Sequence, residues 1–383
     1  MWCPNFIKTK PALLIMGLLL FSCEGEPIAN PIEHILNTSE DPAIRKVVDE
    51  IDKYELQILY TQVSRSTQDI QFRDYEFGLD DAAYFYPAST VKLPIALVAL
   101  EKVSQMDDLS LDTLFYVEGD TVETTIEKEI IKVFAISDNE ANNRLFEFLG
   151  QDAINESLST KNIGPHRIAH RLSTENADDI TTRPLIVYLN DSTITQIGPV
   201  VNAPLEYLEL KNIQKGIGYM EADELVEEPF DFSLKNYYPV SSQQEVMKRV
   251  IFPERYPSAR TFSLGQDERS LLLDAMSSPP RKWGYDEVEY FDSYGKFFIY
   301  GDSRSRIPES VRIYNKVGYA YGTITDCAYV KDINNNIEFI LTATLLVNKD
   351  QIFNDNQYEY ESIGIPFLAA LGRAIHHYEL NQK

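Results

Sequence analysis

Residues 84–103 read YFYPASTVKLPIALVALEKV. A serine, a lysine three residues on and two prolines stand at the mouth of a run that is apolar nearly all round, the pattern of a helix buried on every side. Pro94 fits a first helical turn, where its missing N–H costs nothing. That sets Ser89 at the helix N-terminus and Lys92 one turn on, along the same face. Two readings of the pair stay open from this stretch. Ser89 can cap the helix while Lys92 snorkels from its first turn, or Ser89 can be a nucleophile with Lys92 as its own base. A second Ser-x-x-Lys, Ser293-Tyr-Gly-Lys296, lies where no helical pattern exists, so the motif alone does not choose.

Composition narrows the classes. The chain has 383 residues, 44% hydrophobic and 11% aromatic, enough for a sizeable core and incompatible with wholesale disorder. Its net charge of −24, with no lysine or arginine run, repels a phosphate backbone and excludes nucleic acid as a partner.

At the N-terminus, Lys8 and Lys10 precede PALLIMGLLLFS, an apolar run too short to span a bilayer comfortably and laid out as a secretory signal. It ends in Leu20-Phe21-Ser22-Cys23, which resembles the lipobox of bacterial lipoproteins. That resemblance implies removal of residues 1–22, a lipid on Cys23, a polar tether over 23–40, and a lipid-anchored place in the bacterial cell envelope, periplasmic or surface-facing. An ordinary signal with an incidental cysteine is the plainer alternative. Once Cys3 leaves and Cys23 is lipidated, only Cys327 remains, so neither an internal disulfide nor a cysteine-based metal site is available. Cys327 lies in the alternating run TITDCAYV and reads as a small core residue.

Asp41 followed by PAIRKVVDEIDKY predicts a capped helix over 42–54. ELQILYTQVSRS and DIQFRDYEFGL alternate and are joined through Thr67 and Gln68 as a hairpin. Helical patterns follow over 123–150, over 264–282 (closed by Pro279-Pro280) and over 361–379. Between the last two, VRIYNKVGYAYGTITDCAYV and IEFILTATLLVN predict two strands around Asn334-Asn335-Asn336. Strands from both ends of the chain must then meet in one antiparallel sheet with helices on its faces, an α/β (α+β) three-layer sandwich, so residues 41–383 form one domain.

Three short motifs line up along this plan. Ser89-Thr90-Val91-Lys92 opens the buried helix, Ser137-Asp138-Asn139 lies in a second helical stretch, and Lys316-Val317-Gly318 starts a strand. In this order, with the flanks FAISDNEANN and NKVGYAYGTITDCA, the sequence resembles the class A β-lactamase and D-Ala-D-Ala peptidase superfamily from about residue 42 to 380. The resemblance implies a serine hydrolase that forms an acyl-enzyme on Ser89. Lys92 would be the base, with its pKa depressed by burial and by the Lys316 charge. Ser137 would relay a proton to the leaving nitrogen, and Asn139 would grip the substrate's amide side chain. The helix N-terminus at Ser89 and the N–H of Tyr319, next to Gly318, would hold the oxyanion. Asp138 reads as a loop-holding residue. Neither metal nor organic cofactor is implied, and the expected partner is a small-molecule or peptidoglycan-like acyl substrate, β-lactams or related acyl-amides. The rivals are a D-Ala-D-Ala carboxypeptidase or esterase on the same fold, and a catalytically idle envelope protein that uses the pocket for binding.

The departures carry information too. Val317 stands where the family has a hydroxyl residue that helps bind the substrate carboxylate, and Tyr319 is expected to crowd the cleft. In 170-HRLSTENADDITTRP-184, Arg171 and Thr181-Thr182 resemble the ends of the β-lactamase omega loop, but the segment between them is short. The deacylating glutamate of the family would fall at Ser173; Glu175 is the nearby substitute, or else a solvated loop charge. The interval from Ser173 to Lys316 is far longer than the family's, which points to an insertion at about 190–262, rich in tyrosine and acid, that reads as a lid, a partner-binding face or a strand-rich flap. His166 and His170 have i, i+4 spacing without His-Glu-x-x-His or a third ligand.

Overall fold

Five long runs of β-branched and aromatic residues pair into one antiparallel sheet: Gln57–Arg65 (β1), Ile70–Phe77 (β2), Val311–Ala320 (β3), Thr323–Asp332 (β4) and Ile337–Leu346 (β5). In the computed structural model, which describes residues 29–66 and 69–382, the strand order is β3-β4-β5-β1-β2. The two ends of the chain thus meet at the β1–β5 ladder, where Leu59 faces Thr342 and Thr61 faces Ile340. β1 and β2 also pair directly, although their expected link through Thr67 and Gln68 lies outside the described residues, as do the signal segment and Cys23. The expected pair of strands near the C-terminus is in fact three, because Tyr321 and Gly322 turn the first run back on itself. Lys316-Val317-Gly318 consequently sits in the middle of β3 rather than at its start, and β3 is an edge strand.

Apolar layers cover both faces, which is why nearly every residue of β5 is buried without alternation. On one face lie Pro31–Thr38 (α1), Pro42–Val48 (α2) and the last helix Ile365–Asn381 (α9), with Ile35, Val47, Phe367 and Leu371 packed against Ile58, Phe339 and Leu341. Part of the expected tether is therefore structured. Asn30 caps α1, and Ile32 and Leu36 are buried, because the apolar spacing inside a polar segment supplies one packing face. The helix expected over 42–54 ends at Val48 and resumes only as a 3-10 turn over Ile51–Lys53.

The other face carries Lys92–Ser104 (α3), Ile126–Ala135 (α4), Asn139–Leu149 (α5), Gln151–Thr160 (α6), Val240–Ile251 (α7) and Gln266–Ser277 (α8). As its sequence requires, α3 is buried almost all round, and its Leu97, Leu100 and Val103 share one cluster with residues of α4, α5, α7 and α8. The helical stretch 123–150 breaks at Ile136–Asp138, where Ser137 takes φ +57°. α7 falls inside the expected insertion yet lies on the sheet: Gln244 donates to Thr61 (2.7 Å) and accepts from Thr342 (2.6 Å), both buried. What stands apart is the preceding segment, short strands between Thr193 and Asp231.

Candidate active site

A 3-10 turn over Ala88–Val91 leads directly into α3, and Ala88 holds φ +47° to make the corner. Ser89 is half-buried on this turn, and Lys92, the first residue of α3, is fully buried. Strand β3 packs its backbone against the same turn. A Cβ at Gly318 would stand 2.7 Å from Ser89 N, 2.8 Å from Pro87 O and 2.9 Å from Thr90 N, so only glycine lets the strand come this close. Thr90 N–H is taken up by Pro87 O (3.2 Å), whereas among the described residues no hydrogen bond takes up Ser89 N–H.

Ser137 is the meeting point. Its strained backbone places its carbonyl on Lys92 Nζ, and Asn139 Oδ1 accepts from the same Nζ (2.6 Å). Lys316 Nζ donates to Ser137 Oγ (2.8 Å) and to Val317 O (3.0 Å). Lys92 Nζ lies 3.3 Å from Ser137 Oγ, and no hydrogen bond joins it to Ser89 Oγ, a looseness common in catalytic pairs without substrate. Asp138 does the structural work expected of it: its carboxylate caps α5 through Ala141 N–H (2.7 Å).

Burial in this dry pocket pushes Lys92 well below the ordinary lysine range; the Lys316 charge adds to the shift and Asp138 opposes it. Burial also brings Lys316 down to about 7, with Asp326 opposing and Lys296 adding. A neutral Lys92 has two N–H groups, which Ser137 O and Asn139 Oδ1 take up, and its lone pair stays free for a hydroxyl proton.

Two of the expected departures resolve differently. Val317 does not face the cleft: it is buried with Phe297, Ile313 and Ile324 in the layer beneath the sheet. Tyr319 does not crowd Ser89 either, because its ring lies against Tyr360 (5.1 Å) and Phe297 (6.1 Å) along the strand edge. In the short loop, Ser173 takes φ +51° and its Oγ accepts from Asn139 Nδ2 (3.1 Å), so it touches the group that Lys92 touches. Glu175 is exposed and, among the described residues, has no hydrogen bond or ion pair to Ser89, Lys92 or Asn139.

The loop is held by residues whose role the sequence reading missed. Arg171 and Glu147, both essentially sealed from solvent, form a two-pronged pair (2.8 and 2.9 Å). The remaining Arg171 donors reach Asp179 O (2.8 Å) and Thr181 O (3.1 Å), tying the two loop ends together. Asn143 bonds both the N–H and the carbonyl of Leu172. An acid and an asparagine on the apolar face of NEANNRLFEFL are the signal that could have revealed both.

The decoy Ser293/Lys296 pair is structural. Lys296 Nζ is spent on Met276 O, Ile313 O and Asn315 Oδ1, and Ser293 Oγ on Ser303 O (2.5 Å). His170 Nδ1 faces Arg171 O (2.6 Å) and its ring, buried against Tyr86, is driven down to about 4. His166 Nε2 lies 3.1 Å from Asn155 O. Among the described residues no three His, Cys, Asp or Glu side chains converge as metal ligands would. Cys327 is a buried core thiol, pushed by burial up to about 12. A cleft of about 870 Å³ lies away from Ser89, between Lys53, Lys215, Lys349 and Glu359.

The family model described as Beta-lactamase enzyme family matches residues 42–191, the part that carries Ser89, Lys92 and Ser137-Asp138-Asn139. Among solved structures, a representative class A β-lactamase from Bacteroides cellulosilyticus DSM 14838 superposes with a TM-score of 0.54 at 11% identity, covering 93% of this chain and 100% of that one. A class A β-lactamase from Mycobacterium abscessus gives 0.50 at 14% identity, covering 86% and 95%. No curated protein matches the sequence. At these identities the structural likeness speaks for the fold, a class A β-lactamase-like one, and the family model speaks for residues 42–191.

Proposed function

We propose that this protein is a serine hydrolase that forms an acyl-enzyme on Ser89, with β-lactams or related acyl-amides as substrates. The observation that carries the reading is the convergence of two buried lysines, Lys92 and Lys316, on Ser137 beside the Ser89 turn. In the reaction, Ser89 Oγ gives its proton to the Lys92 amine as it attacks the carbonyl carbon. The oxyanion is held by the N–H groups of Ser89 and Tyr319, which the absence of a side chain at Gly318 brings together. As the tetrahedral intermediate collapses, the C–N bond breaks, Ser137 Oγ gives its proton to the leaving nitrogen and takes in its place the proton that Lys92 holds, which returns Lys92 to the neutral amine. Lys316 keeps that relay polarised, and Asn139 binds the amide on the acyl side.

Water then has to remove the acyl group, and the position expected for its base holds Ser173. Acylation is therefore fast relative to deacylation, which favours, as the second reading, a D-Ala-D-Ala carboxypeptidase or esterase over an efficient β-lactamase. Incubation with a penicillin followed by intact and peptide mass spectrometry tests this: one adduct on Ser89 is expected, and its absence, with an equally unreactive series of acyl esters, would leave the idle binding protein. The lipobox-like Cys23 extends the proposal to a lipid-anchored envelope protein. A Cys23→Ala form that stays wholly in the membrane fraction would refute the anchor.

A further inference from the structure

The segment that precedes α7 is stitched to both halves of the site. Lys211 pairs with the strand leading to Ser89 through Tyr84 N–H to Lys211 O (2.9 Å) and Lys211 N–H to Ala82 O (2.8 Å). A few residues on, Gly218 and Tyr219 run parallel to Ile352 and Phe353, beyond β5, with Ile217 N–H on Gln351 O (3.0 Å). Between these seams, Phe230 and Phe232 enter an aromatic cluster. Phe232 lies 5.3 Å from Tyr84, 6.1 Å from Tyr86 and 5.5 Å from Tyr321 between ring centres, and Phe230 lies 5.3 Å from Tyr321. Tyr86 meets Tyr321 edge to face at 5.0 Å.

Where these rings attach matters for the chemistry. Tyr86 is three residues before Ser89, and Ala88 between them is in the left-handed region; Tyr321 is three residues after Gly318 and holds φ +50°. Both sites are strained for a residue with a Cβ, so each needs packing to stay put. They flank the two backbone N–H groups that would face an oxyanion, those of Ser89 and Tyr319. We propose that Phe230 and Phe232 of the inserted segment are positioning residues for acylation, clamping the Ser89 turn to the β3–β4 corner so that the two N–H groups stay in register. This rests on the acyl-enzyme reading for its kinetic consequence but not for its structural one.

The test compares Phe230→Ala with Phe230→Tyr and with Phe367→Ala, a core truncation in α9 on the opposite face of the sheet. Single-turnover acylation at saturating penicillin is expected to slow roughly tenfold or more in Phe230→Ala, because misplaced donors weaken transition-state stabilisation, with little change in the half-saturating concentration. Phe230→Tyr, which keeps the ring, restores the rate. Phe367→Ala lowers the melting temperature but leaves acylation below that temperature unchanged. In parallel, amide exchange over residues 86–91 and 319–322 should accelerate in Phe230→Ala alone. Unchanged exchange there, or equal acceleration in Phe367→Ala, overturns the clamp. If the unaltered protein acylates with nothing, the acyl-enzyme reading falls and the exchange comparison still decides the clamp.

Discussion

Lys316→Met isolates what the site does to the stability of the fold. Burial lowers the Lys316 pKa from an ordinary 10.5 to about 7, and each unit is worth about 1.4 kcal/mol. Between those two values the unfolded chain holds a proton that the folded site has released, so the unfolded state binds more protons and stability rises with pH. The lysine therefore costs the fold about 4 kcal/mol at pH 7 and about 2 kcal/mol at pH 9. Methionine of similar length has nothing to ionise; it gives up the bonds to Ser137 Oγ and Val317 O, about 1 kcal/mol each, equally at both pH values. Guanidinium denaturation of both proteins at pH 7, 8 and 9 should show the variant gaining on the parent at pH 7 and losing about 2 kcal/mol of that advantage by pH 9. It should also lose the Ser89 adduct. Parallel pH curves for the two proteins would mean that Lys316 titrates as an exposed lysine does, and the desolvation that is the main cause of the Lys92 shift in the same pocket would be in error with it.

Lys92→Arg should abolish adduct formation by mass spectrometry with the fold kept by circular dichroism, because a guanidinium does not deprotonate at working pH; acylation at the parent rate would place the base elsewhere. Glu147→Gln leaves the sealed Arg171 charge without its partner, and should cost roughly 3–5 kcal/mol in denaturation; a loss under about 1 kcal/mol would show that the loop carbonyls alone hold Arg171. Penicillin opening should show a burst of one equivalent and then a slow steady rate, and Ser173→Glu should speed that rate up to roughly a hundredfold by restoring a base within reach of Asn139. Fast turnover in the parent that Glu175→Gln removes would instead make Glu175 the base.

The legible parts of the fold were those that local pattern controls. The all-round apolar run of α3, the alternation of β1 and β2 and the order of three motifs were enough to bring the two chain ends into one sheet and to bring Lys92, Ser137, Asn139 and Lys316 together. Where tertiary packing overrides pattern, the reading missed. The helix break at Ser137 leaves no proline or glycine in the sequence to mark it, since the strain is carried by a serine. α7 looked like part of an excursion because Ser242, Gln243 and Gln244 are polar, and their partners, such as Thr61 and Thr342, lie far away in sequence. Val317 read as a lost substrate contact because one residue's facing in a strand depends on register, which the sequence does not fix at an edge.

Three buried lysines, Lys92, Lys296 and Lys316, act on one another: the Lys316 charge lowers Lys92, and the Lys296 charge lowers Lys316. Asp326 is a buried acid that acts on Lys296 and Lys316, held by Phe297 N–H and Asn315 and pushed by desolvation up to about 6. Asp138 opposes the shift of Lys92, and Asp326 and Asp292 oppose that of Lys296, yet desolvation prevails and lowers all three lysines. Lys296 is braced by two backbone carbonyls and Asn315, and burial brings it down to about 8. Burial takes Lys316 down to about 7, and it takes Lys92, beside the Lys316 charge, well below the ordinary lysine range. Each depressed lysine lowers the stability of the fold at neutral pH, and Lys296 offsets this with its bonds to Met276 O, Ile313 O and Asn315 Oδ1. Under the proposed acyl transfer Lys92 and Lys316 have a use: a neutral amine at the start of α3, one turn from Ser89, with a titrating cation across the cleft, is what a serine needs to lose its proton as it attacks.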